Sequence, residues 1–144
     1  MKKQFLVPLI LGLAVTSVNA NEQVEQSHSD SHHHETVMIS EGQPVPGIDL
    51  VVHEDGLKGW NLEIKLANFE LAPEMVNRDD RLNQGHAHLY VNGEKITRIY
   101  GNWYYLATLP SGKNEIKVGL NTNDHKSLMY QGKLIEDLEV IEVN

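Results

Sequence analysis

The sequence predicts an all-β protein, an antiparallel β-sandwich of about seven strands that follows a disordered N-terminal tail. Three observations favour this fold class. Apolar and polar residues alternate in several short segments, as they do in strands that bury one face. Turn-forming residues separate these segments at roughly ten-residue intervals. The length of 144 residues fits a single domain.

The first 20 residues have the features of an export signal. Residues 1–3 carry positive charge, residues 5–15 are apolar but too short to span a bilayer stably, and residues 18–20 supply a small-residue cleavage site. The alternative is an N-terminal membrane anchor. We expect cleavage after Ala20 and export of a chain with no further membrane span, most simply to a bacterial periplasm.

Residues 21–36 are polar except for the aliphatic Val24. Such a segment cannot bury enough apolar surface to offset its loss of entropy on ordering, which predicts a disordered tail. Its histidines indicate weak, unselective metal capture, and the alternative is a solvated or pH-responsive linker. The candidate tail ligands are His28, His32, His33 and His34.

The sandwich domain is expected over residues 37–144. Asn92-Gly93 is a strong two-residue hairpin signal between two of its strands. Only residues 72–82 could hold a helical turn, and Pro73 suits its first position. The predicted strands are residues 37–40, 48–53, 60–67, 86–91, 95–100, 103–106, 115–121 and 138–143.

Composition excludes several classes of function. The absence of cysteine excludes a disulfide scaffold, a thiol nucleophile, an iron–sulfur cluster and a thiolate metal site. A formal net charge of −8 argues against binding to nucleic acid, which requires a basic face. The chain contains eight histidines, and their clustering points to metal chemistry.

The strongest candidate site is the pair His86 and His88. Residues i and i+2 of a strand point to the same face, roughly 6.5–7 Å apart along the chain. His125 follows the strand at 115–121, and a loop there can reach the same end of a sandwich. If the three imidazoles share an ion, their nitrogens must lie within about 5 Å of one another. His53 is expected to be an ordinary surface residue.

Three imidazoles suit Cu(II) or Zn(II), and copper is the expected metal with zinc as the alternative. The thioether of Met129, or that of Met75, would be a soft fourth ligand that favours Cu(I). Without a cysteine thiolate, a blue-copper centre is excluded. Because imidazoles bind metal only when neutral, affinity is expected to fall as the pH drops through roughly 6.5.

Residues 85–125 (GHAHLYVNGEKITRIYGNWYYLATLPSGKNEIKVGLNTNDH) carry a resemblance. They resemble small exported bacterial domains of cupredoxin-like or immunoglobulin-like fold, which share a G-H-x-H-L-Y strand, an L-P-x-G turn and an N-D-H loop. Many are uncharacterised, and others occur in copper-related settings. By position, the resemblance implies His86, His88 and His125 as ligands and Asp124 as a residue that orients an imidazole. Where some related sequences offer a further histidine, this chain has Tyr105.

The sequence therefore predicts a periplasmic copper-binding protein for storage, buffering or delivery to a metal-accepting protein, and not an enzyme. A rival hypothesis is a non-metal module that binds an envelope component through residues 103–105. A third is a metal-dependent oxidase or hydrolase that uses the three histidines, although no general base stands out beside them.

Overall fold

A computed structural model describes residues 35–144, so the predicted export signal and His28, His32, His33 and His34 lie outside the described residues. No helix in this part of the chain is long and apolar enough to cross a membrane. The described elements are β1 (Thr36–Met38), β2 (Gly47–Glu54), β3 (Trp60–Ala67), β4 (Glu70–Leu71), a 3₁₀ helix (Pro73–Met75), β5 (Gln84–Val91), β6 (Glu94–Ile99), β7 (Trp103–Leu106), β8 (Gly112–Thr122), β9 (Ser127–Tyr130), β10 (Lys133–Leu134) and β11 (Glu136–Val143).

The strands form two sheets, which confirms the predicted β-sandwich class. The larger sheet has the order β1-β9-β8-β5-β4, with β10 beside β9, β11 beside β8 and β6 beside β5. The smaller sheet has the order β2-β3-β7. Most pairs are antiparallel, but β1 runs parallel to β9 and β4 runs parallel to β5. The short strands β4, β9 and β10 lack a clear alternating pattern and were not predicted.

The core lies between the two sheets. Ala87 and Leu89 of β5 are fully buried there, together with Val118 of β8 and Leu62 of β3. Because successive strand residues point to opposite faces, β5 turns its histidines to the other side of the larger sheet. We call that side the outer face.

The predicted hairpin is present between β5 and β6. Asn92 (φ 51°) and Gly93 (φ 84°) both have positive φ, as a type I′ turn requires. The Asn92 side chain accepts a hydrogen bond from the Glu115 amide (2.9 Å) and donates one to Asn114 Oδ1 (2.9 Å). These bonds join the turn to β8 and fix the register of the sheet beneath the histidines.

The predicted helical turn over 72–82 is shorter than expected. Only Pro73–Met75 is helical, and a left-handed Asn77 (φ 61°) follows it. The rest of the segment hydrogen-bonds to the loop after β8 instead: the Asn77 amide donates to Asn123 O (2.8 Å), and Asn123 Nδ2 donates to Asp79 O (3.1 Å). This contact holds the two loops together at the end of β5.

Candidate metal centre

The outer face of β5 carries two buried histidines. His86 and His88 are each only 1% exposed, and their Nε2 atoms lie 3.0 Å apart. The i, i+2 spacing puts both rings on the same face, as predicted from the sequence. Buried imidazoles are uncommon unless their nitrogens have partners, which marks this face as a candidate site.

His125 completes the group. It lies in the loop after β8 with a left-handed backbone (φ 74°), and its Nδ1 atom lies 3.0 Å from His86 Nε2. One ligand atom from each of the three histidines lies within 4.8 Å of the others, which confirms the predicted convergence. Nitrogens that share an ion at roughly 2.0–2.1 Å in tetrahedral geometry lie about 3.3 Å apart. The two 3.0 Å separations from His86 Nε2 are close to this value, and the widest pair, at up to 4.8 Å, must close to within about 4.2 Å for all three nitrogens to share one ion.

The loop that carries His125 is held in place from two sides. The His125 amide donates to Thr122 O (3.0 Å), which tightens the turn after β8. Asp80, in the loop after the 3₁₀ helix, accepts hydrogen bonds from the Asp124 amide (3.2 Å) and from Lys126 Nζ (3.1 Å). His125 is therefore positioned by contacts between two loops that lie more than forty residues apart in the sequence.

Asn77 orients the His125 ring. The Asn77 Oδ1 atom lies 2.7 Å from His125 Nε2, and because an amide oxygen only accepts, Nε2 carries the proton. A neutral His125 then turns the lone pair of Nδ1 towards His86, as a metal ligand requires. The resemblance implied this role for Asp124, but Asp124 instead accepts from Thr122 Oγ1 (2.6 Å) and pairs with Lys126 (2.5 Å).

The three nitrogens together form an acceptor-rich cluster. His125 Nδ1 is an acceptor, and His88 Nε2 accepts a hydrogen bond from the Lys95 ammonium (3.2 Å). His86 Nε2 lies 3.0 Å from each of these two nitrogens. A single metal ion would satisfy all three lone pairs at once, so the chemistry of the donor set fits a transition metal.

The surroundings of the cluster lower the pKa values of His86 and His125 and so favour their neutral forms. Burial, followed by electrostatic repulsion from His125 when it is protonated and from Arg98 and Lys95, lowers the pKa of His86 to about 4. Burial also lowers the pKa of His125, and Arg98 and Lys95 lower it further. Neutral imidazoles are the metal-binding form. The sequence alone predicts that affinity falls as the pH drops through roughly 6.5, and with these lowered pKa values we expect the fall to occur at a lower pH.

The metal-free protein should lose stability as the pH falls from about 6.5 towards 4. Since the folded-state pKa of His86 lies below its unfolded value, the unfolded chain binds a proton there that the folded chain does not. The stability that the neutral His86 contributes is complete above about pH 6.5 and is lost as the pH falls. For one proton, the free energy of unfolding then changes by up to about 1.4 kcal/mol per pH unit. Urea unfolding of the metal-free protein at pH 7, 6, 5 and 4 measures this slope.

The matched control for the slope is His86→Gln, which removes the titrating group but keeps a polar side chain. Its free energy of unfolding should depend less steeply on pH over the same interval. Equal slopes in the two proteins would contradict the assignment of this proton to His86.

The structure places the other predicted residues elsewhere. His53 lies on the smaller sheet, where Nε2 is 2.9 Å from Glu63 Oε2, as expected of a surface histidine. Met129 is in β9, opposite Met38 and Leu134. Since β8 lies between β9 and β5, the Met129 backbone is roughly 9–10 Å from the strand of the histidine pair. Met129 as a ligand stays a prediction.

Four residues near the group were not identified from the sequence. They are Asn77, Lys95, Arg98, which lies opposite His88 in β6, and Tyr100, whose ring centroid is 5.6 Å from that of His86. The hairpin signal could have placed Lys95 on the face of the histidine pair, because a two-residue turn at Asn92-Gly93 puts Lys95 opposite Tyr90. Nothing in the local sequence indicates that Asn77 reaches His125.

Comparisons with known proteins give no relative. No family model matches the chain, and neither a curated protein nor a solved structure matches it.

Proposed function

We propose that this protein is an exported copper-binding protein that stores, buffers or delivers the ion through His86, His88 and His125. The observation that carries the proposal is the convergence of three imidazole nitrogens within 4.8 Å on the outer face of β5. The export signal predicted over residues 1–20 supports a periplasmic location, and a metal-accepting protein there would receive the ion.

Copper is favoured over zinc by the donor set. For a given set of nitrogen ligands, affinity rises to Cu(II) and then falls at Zn(II). The chain has no cysteine, so nitrogen, oxygen and thioether sulfur are its only side-chain donors. Two buried imidazoles and the half-buried His125 would hold an ion without a thiolate, and this arrangement suits binding and release.

The mature protein should bind one Cu(II) ion per domain, and this binding should persist at pH 5.5. The lowered pKa of His86, about 4, delays competition by protons at pH 5.5, which is below the ordinary histidine pKa of about 6.5. Calorimetric titration at pH 7.5 and pH 5.5 measures the number of ions bound at each pH. Parallel titrations with Zn(II) and Cu(I) test the choice of metal.

The control for the tail is a chain in which His28, His32, His33 and His34 are all serine. Substitution is preferred to truncation at Val37, because truncation would remove part of the fold. β1 begins at Thr36, and the Ser127 amide donates a hydrogen bond to Glu35 O (2.8 Å). The variant should keep the site that binds at pH 5.5. If it loses all binding, the tail alone binds metal and the proposed site is wrong.

One observation favours a second candidate, a module that binds an envelope component. Trp103 and Tyr105 of β7 are 59% and 51% exposed, on a strand at the end of the smaller sheet. The His53 ring lies 5.6 Å from that of Trp103, and Tyr105 Oη donates to Lys58 O (2.7 Å). Exposed aromatic side chains are enriched at binding surfaces. Failure of the intact protein to bind micromolar metal would favour this candidate.

A further inference from the structure

Two cationic side chains lie beside the three histidines. Lys95 Nζ is 3.2 Å from His88 Nε2, and Arg98 is the partner of His88 in the register of β6, so both residues share the outer face. Among residues 35–144, neither side chain forms an ion pair with a carboxylate. This is unusual in a chain with 20 acidic and only 12 basic residues.

A metal ion in this group would lie close to the Lys95 charge. With a metal–nitrogen distance of roughly 2.0–2.1 Å to His88, the ion would be within roughly 5.3 Å of the Lys95 ammonium. Three neutral imidazoles leave the charge of the ion uncompensated, and the two inner histidines are almost completely buried. Like charges at this distance repel strongly where water is scarce.

We propose that the site binds its metal ion together with a small oxyanion, a carboxylate or phosphate, which takes a fourth coordination position and is held by Lys95 and Arg98. This inference rests on the proposed function. An oxygen bound to the ion at roughly 2.0–2.2 Å can also accept a hydrogen bond of roughly 2.7–2.9 Å from the Lys95 ammonium. These two distances together bridge the gap between the ion and Lys95 Nζ.

Arg98 suits the second contact with the oxyanion. Its guanidinium has five N–H donors in a planar fork that matches carboxylate and phosphate oxygens. One of them, on Nη1, donates to Tyr100 Oη at 3.5 Å. The oxyanion thus neutralises charge from the ion and from both side chains, so metal and oxyanion each bind more tightly when the other is present.

The test uses the mature protein loaded with one equivalent of Cu(II) in a buffer without coordinating anions. Sodium acetate and inorganic phosphate are titrated separately, and the visible absorption and paramagnetic resonance spectra of Cu(II) are recorded. We expect a saturable spectral change with at least one of them, and the two arms distinguish carboxylate from phosphate. Lys95→Met and Arg98→Met should weaken this response at least tenfold, whereas Lys58→Met, on an exposed loop, should not change it.

Four outcomes would overturn the inference. If the protein binds no Cu(II) with or without anions, the proposed function fails and the inference fails with it. If one Cu(II) binds but neither anion changes its spectrum, only the inference fails. An unchanged response in both the Lys95 and Arg98 variants would show that these cations do not hold the oxyanion. The fourth outcome is that Lys95→Met binds Cu(II) more tightly in the presence of the anion that changes the spectrum. Lys95 would then compete with the metal ion and not hold an oxyanion beside it.

Discussion

Replacing His86 by alanine should weaken the binding of Cu(II) to the domain by more than 100-fold. The His86 Nε2 atom lies 3.0 Å from each of the other two ligand nitrogens. Without it, His88 and His125 remain as two ligands, and the ion loses its central donor. Loss of a residue that merely orients a ligand costs roughly 10–100-fold, so loss of a ligand costs more.

A graded series of variants makes this result specific. Asn77→Gly removes the amide that orients His125 but tolerates the positive φ of 61°, and it should cost roughly 10–100-fold in affinity. His125→Gly likewise tolerates its left-handed backbone (φ 74°) and should cost at least as much as Asn77→Gly. His53→Ala, a histidine on the other sheet, should leave affinity unchanged.

Calorimetric titration with Cu(II) at pH 7.5 measures each affinity, and thermal unfolding of each metal-free variant shows whether it folds. An affinity of folded His86→Ala within tenfold of that of the unmodified protein would contradict the three-histidine site. An equal loss in His53→Ala would show that binding is not specific to the outer face.

Periodicity was sufficient to predict the fold class and half of the site. Alternation of apolar and polar residues predicted β3 with its observed bounds, Trp60–Ala67, and it placed His86 and His88 on one face of β5. These features depend only on the two-residue period of a strand and on a local turn. Short pairings such as β4 with β5 depend on distant backbone groups and leave no such pattern.

The rest of the site depends on contacts that a local pattern does not encode. Asn77 meets His125 across 48 residues of sequence because two loops hydrogen-bond to each other. Arg98 reaches the outer face because the register of β5 and β6 shifts between Leu89 and Tyr90. The turn alone would put Thr97 opposite His88, and a bulge brings Arg98 there instead. One extra residue in a strand reverses the face of every side chain beyond it.

Replacing Gly85 by alanine should destabilise the domain by about 3 kcal/mol and also weaken metal binding. A Cβ atom at this position would clash with the backbone carbonyl oxygen of Asn121 on the neighbouring strand, and it would lie 3.1 Å from the carbonyl carbon of Thr122. Backbone atoms in a hydrogen-bonded sheet cannot move aside as the end of a flexible side chain can. To avoid the clash, β5 must shift away from β8 at the residue that precedes His86.

Gly119→Ala is the matched control, because Gly119 is also a glycine of the larger sheet, on β8 opposite His88. A Cβ atom there would make an ordinary contact at 3.5 Å with Glu136 Cβ, so we expect a change in stability within about 1 kcal/mol. Thermal unfolding should show a midpoint lower by more than about 10 °C for Gly85→Ala. A midpoint and Cu(II) affinity like those of Gly119→Ala would mean that the close approach of β5 to β8 neither stabilises the sheet nor positions His86.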